Sequence, residues 1–230
     1  MNIKKLKQQI RKDLGLDLLP EAYVTEPKRF ELNTELLSQK SKDAHAEIYE
    51  KFSEKLNIIS AELDVADRDN ANSNYCSFRS LKLDEIRNLN ASYLHALHFG
   101  NISDVNSVIT MDSLTFLRLE RDFGGFDDWQ KDFIACALSA RSGWALTVYN
   151  VPLKRYLNVI IDDSAIGMPA SSIPVLSLCV SADAYFRDYL QDRKSYVYAM
   201  MKEINWDVVE DRVKKAEKVA KVFGGNGEQK

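Results

Sequence analysis

The stretch Ile173-Pro174-Val175-Leu176-Ser177-Leu178-Cys179-Val180-Ser181-Ala182-Asp183-Ala184-Tyr185-Phe186 changes character halfway along its length. Val175 to Val180 is a short apolar run that predicts a strand, and from Ala184 the chain returns to helix. Two earlier runs are also β-rich. Gly143 to Tyr149 and Tyr156 to Ile161 are separated by the turn residues Asn150-Val151-Pro152, so they predict a hairpin, and Val175 to Val180 supplies a third strand. Upstream of them, Phe123-Gly124-Gly125-Phe126-Asp127-Asp128-Trp129 marks a turn into a helix, with Asp127 or Asp128 placed to cap free backbone N–H groups. Downstream, the last helices carry Tyr185, Tyr189, Tyr196, Tyr198 and Trp206, and Gly224-Gly225-Asn226-Gly227 reads as a frayed tail.

The N-terminal half is helical in pattern. Ile48, Phe52, Leu56 and Ile59 recur at helical spacing between Ser38 and Leu63, which predicts a helix with one core-bound face and His45 on its early part. A polar stretch from Asp64 to Ser80, rich in Asn and Asp, predicts a solvated loop. A second helix follows over about Leu83 to Phe99, with Ile86, Leu89, Tyr93, Leu94 and Leu97 apolar and Gly100 as its expected C-cap. Two helices joined by one loop make a hairpin. Before them, residues 1–36 form an arm, with a short amphipathic helix on Ile3, Leu6, Ile10 and Leu14 and an irregular stretch around Pro20 and Pro27.

Composition bounds the function. The chain has 230 residues, 45% hydrophobic and 28% charged, which suits a globular core. Its net charge of -3 argues against non-specific attraction to nucleic acid or to an anionic membrane surface. The first residues are charged (Lys4, Lys5, Lys7, Arg11, Lys12) with no continuous apolar core, and no run approaches membrane-spanning length. Three cysteines at irregular spacing, Cys76, Cys136 and Cys179, fit a reducing compartment better than a disulfide framework. A cytoplasmic location is the expectation. There is no Gly-rich phosphate loop, and with three His and no nucleophile elbow a hydrolase triad is unsupported. Asp162 and Asp163 are adjacent on a run that alternates faces, so they read as turn or surface residues.

Several of these motifs, in this order, resemble the iron/manganese superoxide dismutase family. Phe123-Gly124-Gly125-Phe126 with Trp129 and Phe133 is similar to its F-G-S-F opening, and Ser142-Gly143-Trp144-Ala145-Leu146 to its G-S-G-W-x-x-L strand. Asp188-Tyr189, Arg193, Tyr196-Val197 and Ile204-Asn205-Trp206 follow in the family's order, and Asn90 to Phe99 resembles its second ligand-bearing helix. Ile173 to Phe186 resembles the signature P-L-L-x-x-D-V-W-E-H-A-Y-Y, in which the Asp and the His bind the metal and the Glu reaches the partner subunit. Here those positions hold Cys179, Asp183 and Ala182, and the family Trp is Ser181.

The resemblance implies an α+β fold: an N-terminal helical hairpin followed by an α/β domain with a small three-stranded antiparallel sheet. It divides the chain into an arm (1–36), a hairpin domain (37–115), a C-terminal α/β domain (116–220) and a flexible tail (221–230). It implies metal ligands at His45, His95, Cys179 and Asp183, a gateway aromatic at Tyr49 or Phe52, and a homodimer. The iron-type Gln position is Ala91, and Asp162-Asp163-Ser164 offers no replacement. His98, three residues after His95, reads as a hydrogen-bonded core residue.

A dismutase must cycle one metal between two oxidation states, and the ligand set tunes that potential. With two of four ligand positions changed, the expectation is a divergent superoxide dismutase-like protein whose ordinary activity is lost or strongly reduced. Three states of the centre stay open: a scaffold without metal, a structural zinc site, and an active iron or manganese site with an unusual His/His/Cys/Asp set. A non-catalytic scaffold or assembly subunit, meeting another protein through the arm, is the reading from outside the enzyme class.

Overall fold

Two long helices come first. In the computed structural model, which describes residues 23–103, 107–162 and 168–224, α1 (Gln39–Asp64) begins where the Ser41 N–H donates to Ser38 Oγ at 3.3 Å. α2 (Ser77–Asn101) begins at Cys76, whose sulfur accepts from the Arg79 N–H at 3.4 Å. It therefore starts well before Leu83, inside the stretch expected to be loop. The arm helix on Ile3 to Leu14, together with Pro20, Asp163, Ser164 and the tail from Gly225, lies outside the described residues.

The core face of α1 differs from the apolar spacing. Leu56 is buried as expected, but Ile48, Phe52 and Ile59 are only half-buried. The buried stripe is Ser41, His45, Tyr49, Ser53, Leu56, Ser60 and Leu63. Small serines let the two helices approach closely, and Ser53 and Ser92 hydrogen-bond across the seam at 2.8 Å. A stripe built from Ser, His and Tyr leaves little trace in hydrophobic periodicity. On α2 the same offset appears: Leu94 and Leu97 are buried, whereas Ile86, Leu89 and Tyr93 are about half-exposed.

Gly100 does not cap α2. It is the penultimate residue of the helix, and a Cβ there would lie 2.6 Å from Nη2 of Arg212. The glycine is required by a guanidinium packed against the backbone, not by a left-handed turn. Residues 23–37 form no helix or strand and run along the hairpin, held by Tyr23 N–H to Ser60 Oγ (2.6 Å), Thr25 N–H to Asn57 Oδ1 (2.7 Å) and Lys28 N–H to Tyr49 Oη (3.0 Å).

The second half opens with a short helix that is not among the elements expected above. α3 (Leu114–Phe123) is capped by Ser113, which accepts from the Phe116 N–H, and ends at Gly124 with φ +86°. α4 (Phe126–Ser139) has Gly125 at its N-cap with no side-chain cap bond, so neither Asp127 nor Asp128 caps it. Both sit in its first turn, where negative charge meets the positive end of the helix dipole.

β1 (Trp144–Asn150), β2 (Arg155–Ile161) and β3 (Ser172–Cys179) form one antiparallel sheet in the order β2-β1-β3. β1, the middle strand, is buried along its whole length. Its register with β3 shifts between Thr147 and Val148, opposite Leu176 and Pro174, where the proline has no N–H for the ladder. α5 (Ala182–Tyr189), α6 (Arg193–Lys202) and α7 (Trp206–Gly224) complete the fold. α7 thus runs through residues 221–224 of the expected tail.

α4 packs on β1 and β2, while α2 and α7 pack on β3. Trp129, Phe133, Trp144, Tyr156 and Tyr196 are fully buried between these layers. The hairpin therefore lies with its α2 side against the C-terminal end of β3, and the Ser-His-Tyr stripe faces that junction. Among the described residues no helix is long and apolar enough to cross a membrane.

Candidate metal centre

His45 from α1, His95 from α2 and Cys179 from the end of β3 converge at the seam. All three are buried, and one donor atom from each lies within 4.8 Å of the others. Each arrives by a separate local cause. His45 belongs to the buried stripe of α1, His95 sits one turn below Ala91 on α2, and Cys179 is the last paired residue of β3, opposite Trp144. The Tyr196 hydroxyl donates to the Cys179 carbonyl at 2.8 Å and ties the strand end to α6.

Hydrogen bonds fix how the imidazoles present themselves. A carbonyl only accepts, so the contact of 2.6 Å between His95 Nδ1 and Ala91 O places the proton on Nδ1 and leaves a lone pair on Nε2. His45 Nε2 is buried with no hydrogen-bond partner among the described residues. An unpaired buried nitrogen costs about 1–3 kcal/mol, which a ligand at the seam would offset. Trp144 presents its ring edge-on to His95 at 4.7 Å, and Tyr49 lies nearly parallel to His95 at 6.2 Å. Phe52, the other gateway candidate, is 5.4 Å from the same ring, so both aromatics flank it.

Burial dominates the electrostatics. It holds His45 well below the ordinary imidazole value, with His98 and His95 adding to the effect. It lowers His95 to about 4 against the opposing Ala91 bond and the Asp183 charge, and pushes the Cys179 thiol up to about 11. Both imidazoles are thus neutral at pH 7 and able to bind a metal, whereas the thiol would have to release a proton on coordination. Cys179 Sγ lies 3.2 Å from Ser181 Oγ, and the Ser181 backbone also hydrogen-bonds to it. The donor chemistry fits a transition-metal ion held by two nitrogens and one sulfur.

Asp183 stands apart from this trio. It is exposed in the first turn of α5, beyond Ser181 at the helix start, so the four-residue spacing from Cys179 crosses a strand-to-helix junction. It borders, with His95, Arg87, Gly143 and Trp144, a cavity of about 180 Å³ that reaches the centre. Asp162 borders the same cavity and accepts from the Arg141 N–H at 2.8 Å.

His98, read as a core residue, is fully buried and its Nδ1–H donates to Ser177 O at 3.3 Å. Its ring lies 5.4 Å from His45, and its Nε2 has no hydrogen-bond partner among the described residues. Burial, with His95 adding, lowers its pKa to about 3. That closeness to His45 had no sign in the sequence, since the two helices meet only in the fold.

An α+β protein whose helical hairpin and antiparallel sheet meet over nitrogen and sulfur donors from both halves has the build of a two-part metalloprotein. Residues 114–212 match the pattern of iron/manganese superoxide dismutases, C-terminal domain. The chain is 32% identical over 190 residues to the superoxide dismutase [Fe] of Aquifex aeolicus, spanning 81% of this chain and 88% of that protein. It is 34% identical over 154 residues to the superoxide dismutase [Fe] of Cupriavidus metallidurans, spanning 66% and 75%. It is also 34% identical over 133 residues to superoxide dismutase [Mn] 1 of Halobacterium salinarum, spanning 58% and 66%. The chain belongs to the iron/manganese superoxide dismutase family.

Proposed function

We propose that this protein is a divergent member of the family that binds a metal ion through His45, His95 and Cys179 and whose ordinary superoxide dismutation is lost or strongly reduced. The observation that carries this reading is the donor set: two imidazoles and a thiol within 4.8 Å, with the Asp183 carboxylate outside the group. A thiolate donates more charge than a carboxylate and favours softer ions, so the potential of a bound iron or manganese would move away from the window that dismutation needs. When bound, the metal would supply either a structural crosslink between hairpin and sheet or an altered redox centre.

The residues around it serve to hold and to shield. The Ala91 carbonyl orients His95, Tyr196 anchors the Cys179 backbone, and Trp144, Tyr49 and Phe52 pack around the His95 ring. The cavity beside His95 and Asp183 favours a second reading, an active centre with an unusual ligand set, because it gives a small molecule a way in. A homodimer and a cytoplasmic location belong to the same proposal.

Elemental analysis of the purified protein, paired with a dismutase assay, separates these. Stoichiometric metal with no turnover supports the main reading, and zinc in that role favours the structural form. Stoichiometric iron or manganese with family-like turnover supports the second reading and overturns the first. A protein that takes up no zinc, iron, manganese or cobalt on reconstitution overturns both.

A further inference from the structure

A second cavity, of about 540 Å³, opens between residues 25–30, α1, α2 and α7. Small-ligand pockets span about 300–1,000 Å³. Its apolar walls include Phe30, Leu56, Tyr93 and Leu97, and two cations, Lys28 and Arg212, border it. The buried Tyr49 ring borders this cavity on one side and stacks towards His95 of the candidate centre on the other.

Arg212 is held in an unusual way. Its guanidinium donates from Nη1 to Asn101 Oδ1 and to Val175 O, and from Nη2 to Leu97 O at 3.0 Å. All three acceptors are neutral. They fix the plane of the fork, and Gly100 makes room for it, but none of them carries a charge opposite to its own. Of the five N–H donors of an arginine, the Nε–H and one Nη2–H have no protein acceptor among the described residues. Guanidinium N–H groups left without a protein acceptor suit the oxygens of a carboxylate. Glu26 also borders the cavity, but no ion pair joins it to either cation among the described residues. Burial draws the guanidinium down to about 10, with Tyr93 and the Asp211 carboxylate opposing it only in part.

We propose that this cavity binds a small organic monocarboxylate with an apolar body. The carboxylate takes the free Nε–H and Nη2–H of Arg212 and the charge of Lys28, and the body lies on Phe30, Tyr93 and Leu97. Binding needs no metal at the centre.

Calorimetric titration of the full chain with 4-phenylbutyrate and octanoate tests it, with 4-phenylbutanamide as the uncharged counterpart. Saturable 1:1 binding of an acid is expected, weakened at least about tenfold in the amide and in Arg212→Met, because hydrogen bonds to charged groups contribute about 1.5–3 kcal/mol. Lys28→Gln should weaken the acid and leave the amide unchanged. Ala96→Leu, which fills the cavity wall without removing a polar group, should abolish binding. Should Arg212→Met fail to fold by circular dichroism, Lys28→Gln and Ala96→Leu still decide. Equal affinity for acid and amide, no saturable binding below about 10 mM, or full binding in Ala96→Leu would each overturn the proposal.

Discussion

The rings of His45 and His95 meet across the helical hairpin with centroids 5.0 Å apart and planes inclined at 77°. Cys179 brings its sulfur to the same point from the sheet, so the hairpin and the sheet share one donor cluster. Replacing Cys179→Ser should keep the fold, since the change removes little volume, but lose the thiolate. Cobalt(II) affinity should fall by more than the about 10–100-fold typical of losing a ligand's hydrogen-bond partner. The sulfur-to-cobalt charge-transfer band should vanish with it. An unchanged spectrum would show that the sulfur is not a donor.

The double change Cys179→Asp with Asp183→His restores the donor types of the family signature at both positions. Iron or manganese content should rise above that of the parent protein, with dismutase turnover appearing alongside. Metal analysis and a superoxide assay on the two proteins, grown side by side, read the outcome. No gain in either metal would mean that the backbone at the strand-to-helix junction has itself moved.

A polar ring between α4 and the sheet, buried at its Trp129–Thr147 side, should be costly to break. The Trp129 Nε1–H donates to Thr147 Oγ1 at 3.1 Å, the Thr147 hydroxyl to Asn158 Oδ1 at 2.7 Å, and Asn158 Nδ2 back to Trp129 O at 3.2 Å. Thr147→Val keeps the shape but leaves the indole N–H unpaired. A loss of about 1–3 kcal/mol is expected from urea unfolding, and a neutral result would show that water replaces the hydroxyl.

Gly143 adopts φ +113°, and a Cβ there would sit 2.2 Å from the Ile161 carbonyl oxygen. Gly143→Ala therefore combines backbone strain of about 1–3 kcal/mol with a clash against main chain that cannot rotate away. Because Trp144 follows it, the edge of the His95 pocket should loosen too. Thermal unfolding should show a lowered midpoint, and a midpoint equal to that of the parent would contradict the turn geometry.

Glu210 links α7 to the start of α3 by accepting from the Leu114 N–H and from the Thr115 N–H and hydroxyl. Burial works against its ionisation, but the Thr115 hydrogen bonds and the Lys214 charge outweigh it, so its pKa falls below the ordinary carboxylate value. With the folded value depressed, the unfolded chain binds the proton more readily. The stabilisation is present above the unfolded value of about 4.3 and disappears as pH falls through the folded one. Urea midpoints over that acidic window should therefore slope less for Glu210→Gln than for the parent protein. Parallel slopes would assign the acid sensitivity elsewhere.

The strands and the helical hairpin were legible in the sequence because their signals are local. β-rich runs on either side of Asn150-Val151-Pro152 specify a hairpin, and the polar stretch after Asp64 separates two helices. The helix at Leu114–Phe123 carried signals that could have marked it, a strongly one-sided spread of apolar residues and Ser113 and Gly124 at its caps, but it is only 10 residues long. The buried face of α1 escaped for a different reason. Its residues are buried, but most of them are polar.

Sequence alone determined the family frame, the order of the elements and the chemical identity of the altered positions, all of which are properties of residues near one another along the chain. Only the tertiary structure decided that His45, His95 and Cys179 converge while Asp183 remains outside, and that Arg212 packs against Gly100. These relations depend on how α1, α2, β3 and α7 pack in space, and burial then sets the charge state of each group. No local pattern encodes a distance between side chains that many residues separate.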